Sequence, residues 1–296
     1  MDTALGIGLA VVAALLLAFA SAAEHGAAHA ESDVRAGGWA MLQALRRRPL
    51  WLVGVTSDVS SFAFQAVALG FSSLLLVQPL LVLSLLFALP LNARLTGRRV
   101  SRRDWAWAAT LVAGLAVLDT VGQPTAGQDQ ASAQEWLPAS AVVVAVVAVC
   151  IAVAVTRRGT ARAVSLAVVT GVTYGVTAAM TIGVVGALDD GVGAVVTSWE
   201  LYVLIVAATT GWWLQQSAYQ AGALTASLPI VMVAEPVVAV ALGVWILDER
   251  IRTGPAGWVV LALAAGTIIV AVVALAHSKA AADEDLDAPP PAVISA

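Results

Sequence analysis

The chain has 296 residues and a formal net charge of −4; 60% of it is hydrophobic and only 11% charged, in apolar blocks too long for a soluble core of this size to absorb. Its single cysteine, Cys150, excludes an intramolecular disulfide, a thiolate metal cluster and a paired redox motif. With no phosphate-cradling glycine loop, nucleophile elbow or basic-aromatic run, the sequence argues against an ATP-driven pump, a soluble-type enzyme and nucleic-acid binding, and it calls for no cofactor and no resident metal.

A helix needs about 20 apolar residues to cross a hydrocarbon core. Nine blocks near that length follow one another, at 3–23, 50–69, 71–93, 104–122, 138–156, 163–187, 199–219, 223–247 and 255–277. They lack two-residue alternation, so the prediction is an all-α, polytopic membrane protein rather than a barrel. The first block ends in Ala20-Ser21-Ala22, which has the small-x-small form of a signal-peptidase site. The opening Met1-Asp2-Thr3 lacks a basic leader, so the block is read as part of the mature fold. His25 and His29 after it have a spacing that could place two imidazoles on one helical face, yet without a His-Glu-x-x-His pattern they read as a solvated helix end.

In the second block Asp58, Ser61 and Gln65 share a face by spacings of three and seven. The third carries Gln78-Pro79, the seventh Gln215 and Tyr219 four apart, and the eighth Glu235-Pro236. A carboxylate near the bilayer centre costs about 2.5 kcal/mol or more, so Asp58 and Glu235 are expected to face a cavity or a partner. Pro79 and Pro236 have no N–H to donate and are expected to kink their helices, freeing the carbonyls of Leu75 and Met232 beside Gln78 and Glu235. Gly171 and Gly175 in the sixth block form a GxxxG pair, read as helix packing.

Basic residues follow the odd-numbered blocks: Arg35 and Arg46 to Arg48, then Arg94, Arg98, Arg99, Arg102 and Arg103, then Arg157, Arg158 and Arg162, and finally Lys279. Only Arg250 and Arg252 fall on the other side, which predicts a multi-pass protein of the cell membrane with its amino terminus outside and its carboxyl terminus in the cytoplasm. Trp51, Trp105, Trp107, Trp136, Trp199 and Trp258 lie near block ends, as an interfacial belt requires. The polar, proline-bearing stretch 278–296 is expected to be a disordered cytoplasmic tail.

The intramembrane polar residues recur. An offset of 157 carries Gln78-Pro79 onto Glu235-Pro236, Gly54 onto Gly211, Asp58 onto Gln215, Ser60 onto Ser217, and Ala10-Val11-Val12 onto Ala167-Val168-Val169. The first block then matches the sixth, the second the seventh and the third the eighth, with an odd number of crossings between partners. That relation predicts two inverted repeats, 1–122 with four helices and 123–277 with five, around a shared site near the midplane. Asp58, Gln65, Gln78, Gln215, Tyr219 and Glu235 are its candidate substrate and proton residues.

The stretch 72–103, SSLLLVQPLLVLSLLFALPLNARLTGRRVSRR, and the stretch 223–252, ALTASLPIVMVAEPVVAVALGVWILDERIR, resemble the corresponding helices of the drug/metabolite transporter superfamily. In that superfamily a small-residue turn leads into a proline-bearing helix that ends in an acidic-Glu-Arg-aliphatic signature. Asp248-Glu249-Arg250-Ile251 matches it, whereas Asn92-Ala93-Arg94-Leu95 is a copy without the acids. Nine helices divided four plus five look closer to the NIPA-like magnesium transporter branch than to the ten-helix EamA-like branch. In the small multidrug resistance branch, which is also similar, the first-helix glutamate lies within the span, whereas Glu24 lies at the block's end.

The resemblance implies electrochemically driven export of a small molecule, or divalent cation transport. The reading that results is a secondary transporter working by alternating access, proton-coupled through Glu235, Asp58 or both. Its partners are a small-molecule or cationic substrate and the bilayer, and a homodimer is compatible with the sequence. Magnesium transport is one alternative; a non-transporting membrane subunit assisting cell-envelope assembly is the other.

Overall fold

The computed structural model describes residues 2–29, 49–96, 100–221 and 224–287. Helices α1 (Asp2–His29), α2 (Pro49–Phe71), α3 (Leu74–Leu81), α4 (Leu83–Thr96), α5 (Arg102–Gly122) and α6 (Ala133–Thr156) are followed by α7 (Thr160–Gly186) and a 3-10 turn at Ala187–Asp190. After them come α8 (Val192–Thr197), α9 (Trp199–Ala221), α10 (Leu224–Trp245) and α11 (Pro255–Asp287). Two short strands, β1 (Pro124–Thr125) and β2 (Arg250–Ile251), pair antiparallel, with Pro124 opposite Ile251. The protein is an all-α polytopic membrane protein: among the described residues, eight stretches of helix are long and apolar enough to cross a bilayer.

Local chemistry sets several boundaries. Ser101 with Asp104 and Ser132 with Glu135 form reciprocal capping boxes that start α5 and α6. The block 71–93 is two helices rather than one. It breaks at Val82, three residues after Pro79, where Val82 N–H donates back to the Pro79 carbonyl at 3.2 Å. By contrast α10 runs unbroken through both Pro229 and Pro236. Helix α11 continues to Asp287, so the first ten residues of the expected disordered tail are helical; Ser278-Lys279-Ala280-Ala281-Ala282 is mostly made of good helix formers. The rest of that tail, 288–296, lies outside the described residues, as do Arg35, Arg46 to Arg48, Arg98, Arg99 and the side chains of His25 and His29.

Helix α1 packs most extensively on α2 and then on α3 and α4; α7 packs most extensively on α9 and then on α10. Helices α5 and α11 pack together, α11 also covers α10, and α6 leans on α7. Contacts of α2 with α7 and of α3 with α10 join the two groups. The α7–α10 approach is set by Gly171 and Gly175: a Cβ on Gly171 would run into the Ala234 side chain, and one on Gly175 would stand 2.7 Å from Val238. Helix α6 turns Val144, Val149 and Val155 outward, apolar surface that suits lipid rather than water.

One end of the bundle gathers the connections after α2, α5, α7 and α10. Gln128 N–H donates to the Leu247 carbonyl at 2.7 Å, and Arg252 N–H to that of Gly122 at 2.9 Å. Gly186 lies against Asp129, and Gly6 at the start of α1 lies against Ser72. At the opposite end Lys279 Nζ donates to Ser21 Oγ at 2.7 Å, tying the end of α11 to α1. Trp136 and Trp199 do not form the expected outward belt. Trp136 is 7% exposed and sits edge-on to Trp199 with ring centroids 6.0 Å apart, part of the core near this connection-rich end.

Candidate functional site

Two helices of the second group, α7 and α9, hold a hydrogen-bonded polar chain. Tyr174 on α7 donates its hydroxyl to Gln215 Oε1 on α9 at 2.9 Å, and Gln215 Nε2 donates to the Tyr219 hydroxyl at 3.0 Å. The i, i+4 spacing of Gln215 and Tyr219 puts them one turn apart on the same face, as their spacing predicts. Gly211, one turn earlier, lets that face approach α7; a Cβ there would stand 2.8 Å from the Tyr174 ring and from Thr173 Oγ1. The Tyr174 hydroxyl also lies within electrostatic reach of Glu235 on α10 and Asp58 on α2. Glu235 is half-buried, its backbone running past Gly171. Among the described residues neither Glu235 nor Asp58 has a hydrogen-bond or ion-pair partner, so both carboxylates are left with unused acceptor capacity.

The other expected residues stand apart from this chain of bonds. Asp58 is exposed and Gln65 half-buried on α2, while Ser61, between them, is buried and donates to the Ala13 carbonyl of α1 at 2.7 Å. Gln78 on α3 is 1% exposed, and its Nε2 has no hydrogen-bond partner among the described residues. Pro79 sits one turn before the α3–α4 break, and Pro236 sits in the continuous α10 beside Glu235.

Tyr174 was not among the expected residues. Its signal was a lone phenol inside an otherwise apolar helix, since a buried tyrosine hydroxyl needs a partner. A second missed role belongs to Glu249. Ser73 occupies the N-cap position of α3 but makes no capping bond. Instead, Glu249 reaches across from the loop after α10 and accepts from Leu74 N–H at 2.6 Å and Leu75 N–H at 2.9 Å. It is 3% exposed, and Gly243 leaves the room it occupies. Burial pushes the Glu249 carboxyl up to about 7, while the two backbone N–H bonds pull the other way. The neighbouring Asp248 adopts left-handed backbone at φ 51° and pairs with Arg250 at 2.9 Å, an exposed contact of little energetic weight.

The chain is 33% identical over 277 residues to a protein of Corynebacterium glutamicum described as uncharacterized, an alignment covering 93% of this chain and 96% of that one. The two belong to one family. No family model and no solved structure matches the chain. Membership in this family thus extends over nearly the whole membrane-embedded chain, and the chemistry must be argued from the polar residues themselves.

Proposed function

We propose that the chain is a secondary active transporter of the drug/metabolite type, moving a small solute by alternating access and coupled to protons through Glu235 and Asp58. The observation that carries this reading is the Tyr174–Gln215–Tyr219 chain, with half-buried Glu235 and exposed Asp58 both within electrostatic range of the Tyr174 hydroxyl. Intramembrane carboxylates are costly and mark solute or proton pathways. Among the described residues they have no hydrogen-bond or ion-pair partner, which suits proton exchange and competition for a cationic or polar solute.

Nine crossings fit this geometry better than eight. Helices α7 and α10 both finish at the connection-rich end, α7 against Asp129 and α10 beside Gln128. The chain must therefore return across the bundle between them, and only α9, with 23 residues, is long enough. Helix α9 falls short in hydropathy because it carries Gln215, Gln216, Ser217 and Tyr219, the residues that supply the site.

With that crossing included, α1 and α7, α2 and α9, and α3–α4 and α10 run in opposite senses, and each group shows the same packing order. Ala14 and Ala18, 157 positions before Gly171 and Gly175, are buried on α1. These features support inverted repeats with helices α5 and α11 packed beside them. Arg94, Arg102, Arg103, Arg157, Arg158, Arg162 and Lys279 then lie at the end opposite Asp129, Glu135, Asp189, Asp190 and Glu200, which favours an outer amino terminus and a cytoplasmic carboxyl terminus.

Flux in proteoliposomes against a panel of cations, amino acids and lipophilic cations tests the function. Saturable flux of one class supports it, and no flux of any would favour the envelope-assembly reading. Topology is tested by single cysteines at Gln130 and Gly159 with Cys150 replaced. The first is expected to label from outside intact cells and the second only after permeabilisation; reversed labelling would reject the orientation.

A further inference from the structure

A second polar recess lies at the connection-rich end, away from the tyrosine chain. The turn after α7, helix α8, the start of α9 and residues 130–132 border an open recess of about 570 Å³, a volume within the range of small-molecule pockets. Its wall includes Gln130, Asp190, Ser198, Trp199 and Glu200, two carboxylates without a basic residue among them. Glu200 is the informative member. It is only 7% exposed, so more than nine-tenths of it is buried, and it lines the cavity with no hydrogen-bond or ion-pair partner among the described residues. The fold makes room for it: Gly183 on α7 faces its side chain, and a Cβ there would stand 2.8 Å from Glu200 Cγ.

A carboxylate on a largely buried side chain that opens into a recess, with none of the described residues pairing it, offers a place for a cation. The remaining wall indicates which kind. The ring of Trp199, held edge-on by Trp136, offers an aromatic surface beside the two acids, the combination that recognises organic ammonium groups. Among the described residues no third His, Cys, Asp or Glu joins these two acids as a metal ligand. The neighbouring hydroxyls are already committed, Thr197 to the Gly193 carbonyl and Ser198 to that of Val195, so the carboxylates carry the recognition.

We propose that this cavity is a binding site for a small organic ammonium ion, Glu200 and Asp190 pairing with the charged nitrogen and Trp199 packing against its carbon skeleton. The site goes beyond the transport reading, since binding here requires neither flux nor the tyrosine chain. The full chain in lipid nanodiscs, titrated with butylammonium and followed by ligand-observed NMR, tests it. Saturable binding is expected, at least tenfold weaker in Glu200→Gln and several-fold weaker in Asp190→Asn. Asp189→Asn, an exposed acid outside the cavity wall, is expected to change it less than twofold. If Glu200→Gln fails to fold, Asp190→Asn, at an exposed position, decides alone. Equal competition by n-butanol, displacement by equimolar magnesium chloride, equal losses in Asp189→Asn and Asp190→Asn, or unchanged binding in Glu200→Gln would each overturn the proposal.

Discussion

The two proline-bearing helices that the 157-residue offset superimposes have the same motif and opposite surroundings. In the first, Gln78-Pro79 is sealed: Gln78 is 1% exposed, the helix breaks at Val82, and its start is pinned by Glu249 from the other group. In the second, Glu235-Pro236 sits in an unbroken helix, half-buried, with the tyrosine chain close by. On the repeat reading proposed above, one frame occurs twice with different chemistry in each copy. On this account α3 serves as an anchored wall and α10 carries the working carboxylate.

The largest expected effect comes from releasing the anchor. Burial raises the Glu249 carboxyl from an ordinary value of 4.5 to about 7, so the folded state holds that proton more tightly than the unfolded one. Its contribution is full below pH 4.5 and is lost as pH rises through 7, at about 1.4 kcal/mol per unit over that window. Thermal unfolding in detergent at pH 5 and pH 8 should show this fall in the parent and not in Glu249→Gln. The same slope in both proteins would mean that Glu249 is not the group that titrates.

A somewhat smaller effect is expected where α10 leans on α7. Gly171→Ala forces a methyl into Ala234 and should cost about 2 kcal/mol, the scale of overpacking in a close-packed site. The matching position on α1 already holds a buried alanine, Ala14. An unchanged unfolding midpoint in Gly171→Ala would show that the two helices can part freely, and the contrast between the groups would fail at that point.

The smallest effect tests the sealed amide. Gln78→Leu removes a buried Nε2 that has no hydrogen-bond partner among the described residues and should raise stability by about 1 kcal/mol, with flux falling no more than a few-fold. Collapse of flux with stability kept would instead place Gln78 beside Glu235 in a symmetric site.

The all-α, polytopic class was legible in the sequence, because length and hydropathy mark eight apolar stretches of helix among the described residues. One link of the polar chain was legible as well: the four-residue spacing of Gln215 and Tyr219 fixes their relation within one helix, and they are hydrogen-bonded. The Val82 break was not legible, since the run from Leu74 to Leu91 is continuously apolar and Pro79 can be tolerated within a helix, as Pro236 is. Nor was the cap on α3. Ser73 has the right chemistry in the right place, but the bond comes from Glu249, 175 residues away from Leu74. Tyr174 stayed hidden because its partner Gln215 lies 41 residues on, in another helix.

The central claim is that Glu235 couples solute movement to protons. It is tested most directly in proteoliposomes holding an imposed pH gradient, loaded with whichever solute the flux panel identifies, by comparing the parent with Glu235→Gln. The account predicts gradient-driven flux in the parent and its loss in the variant, with unfolding midpoint and insertion close to the parent. Near-parental, gradient-dependent flux in Glu235→Gln would contradict it.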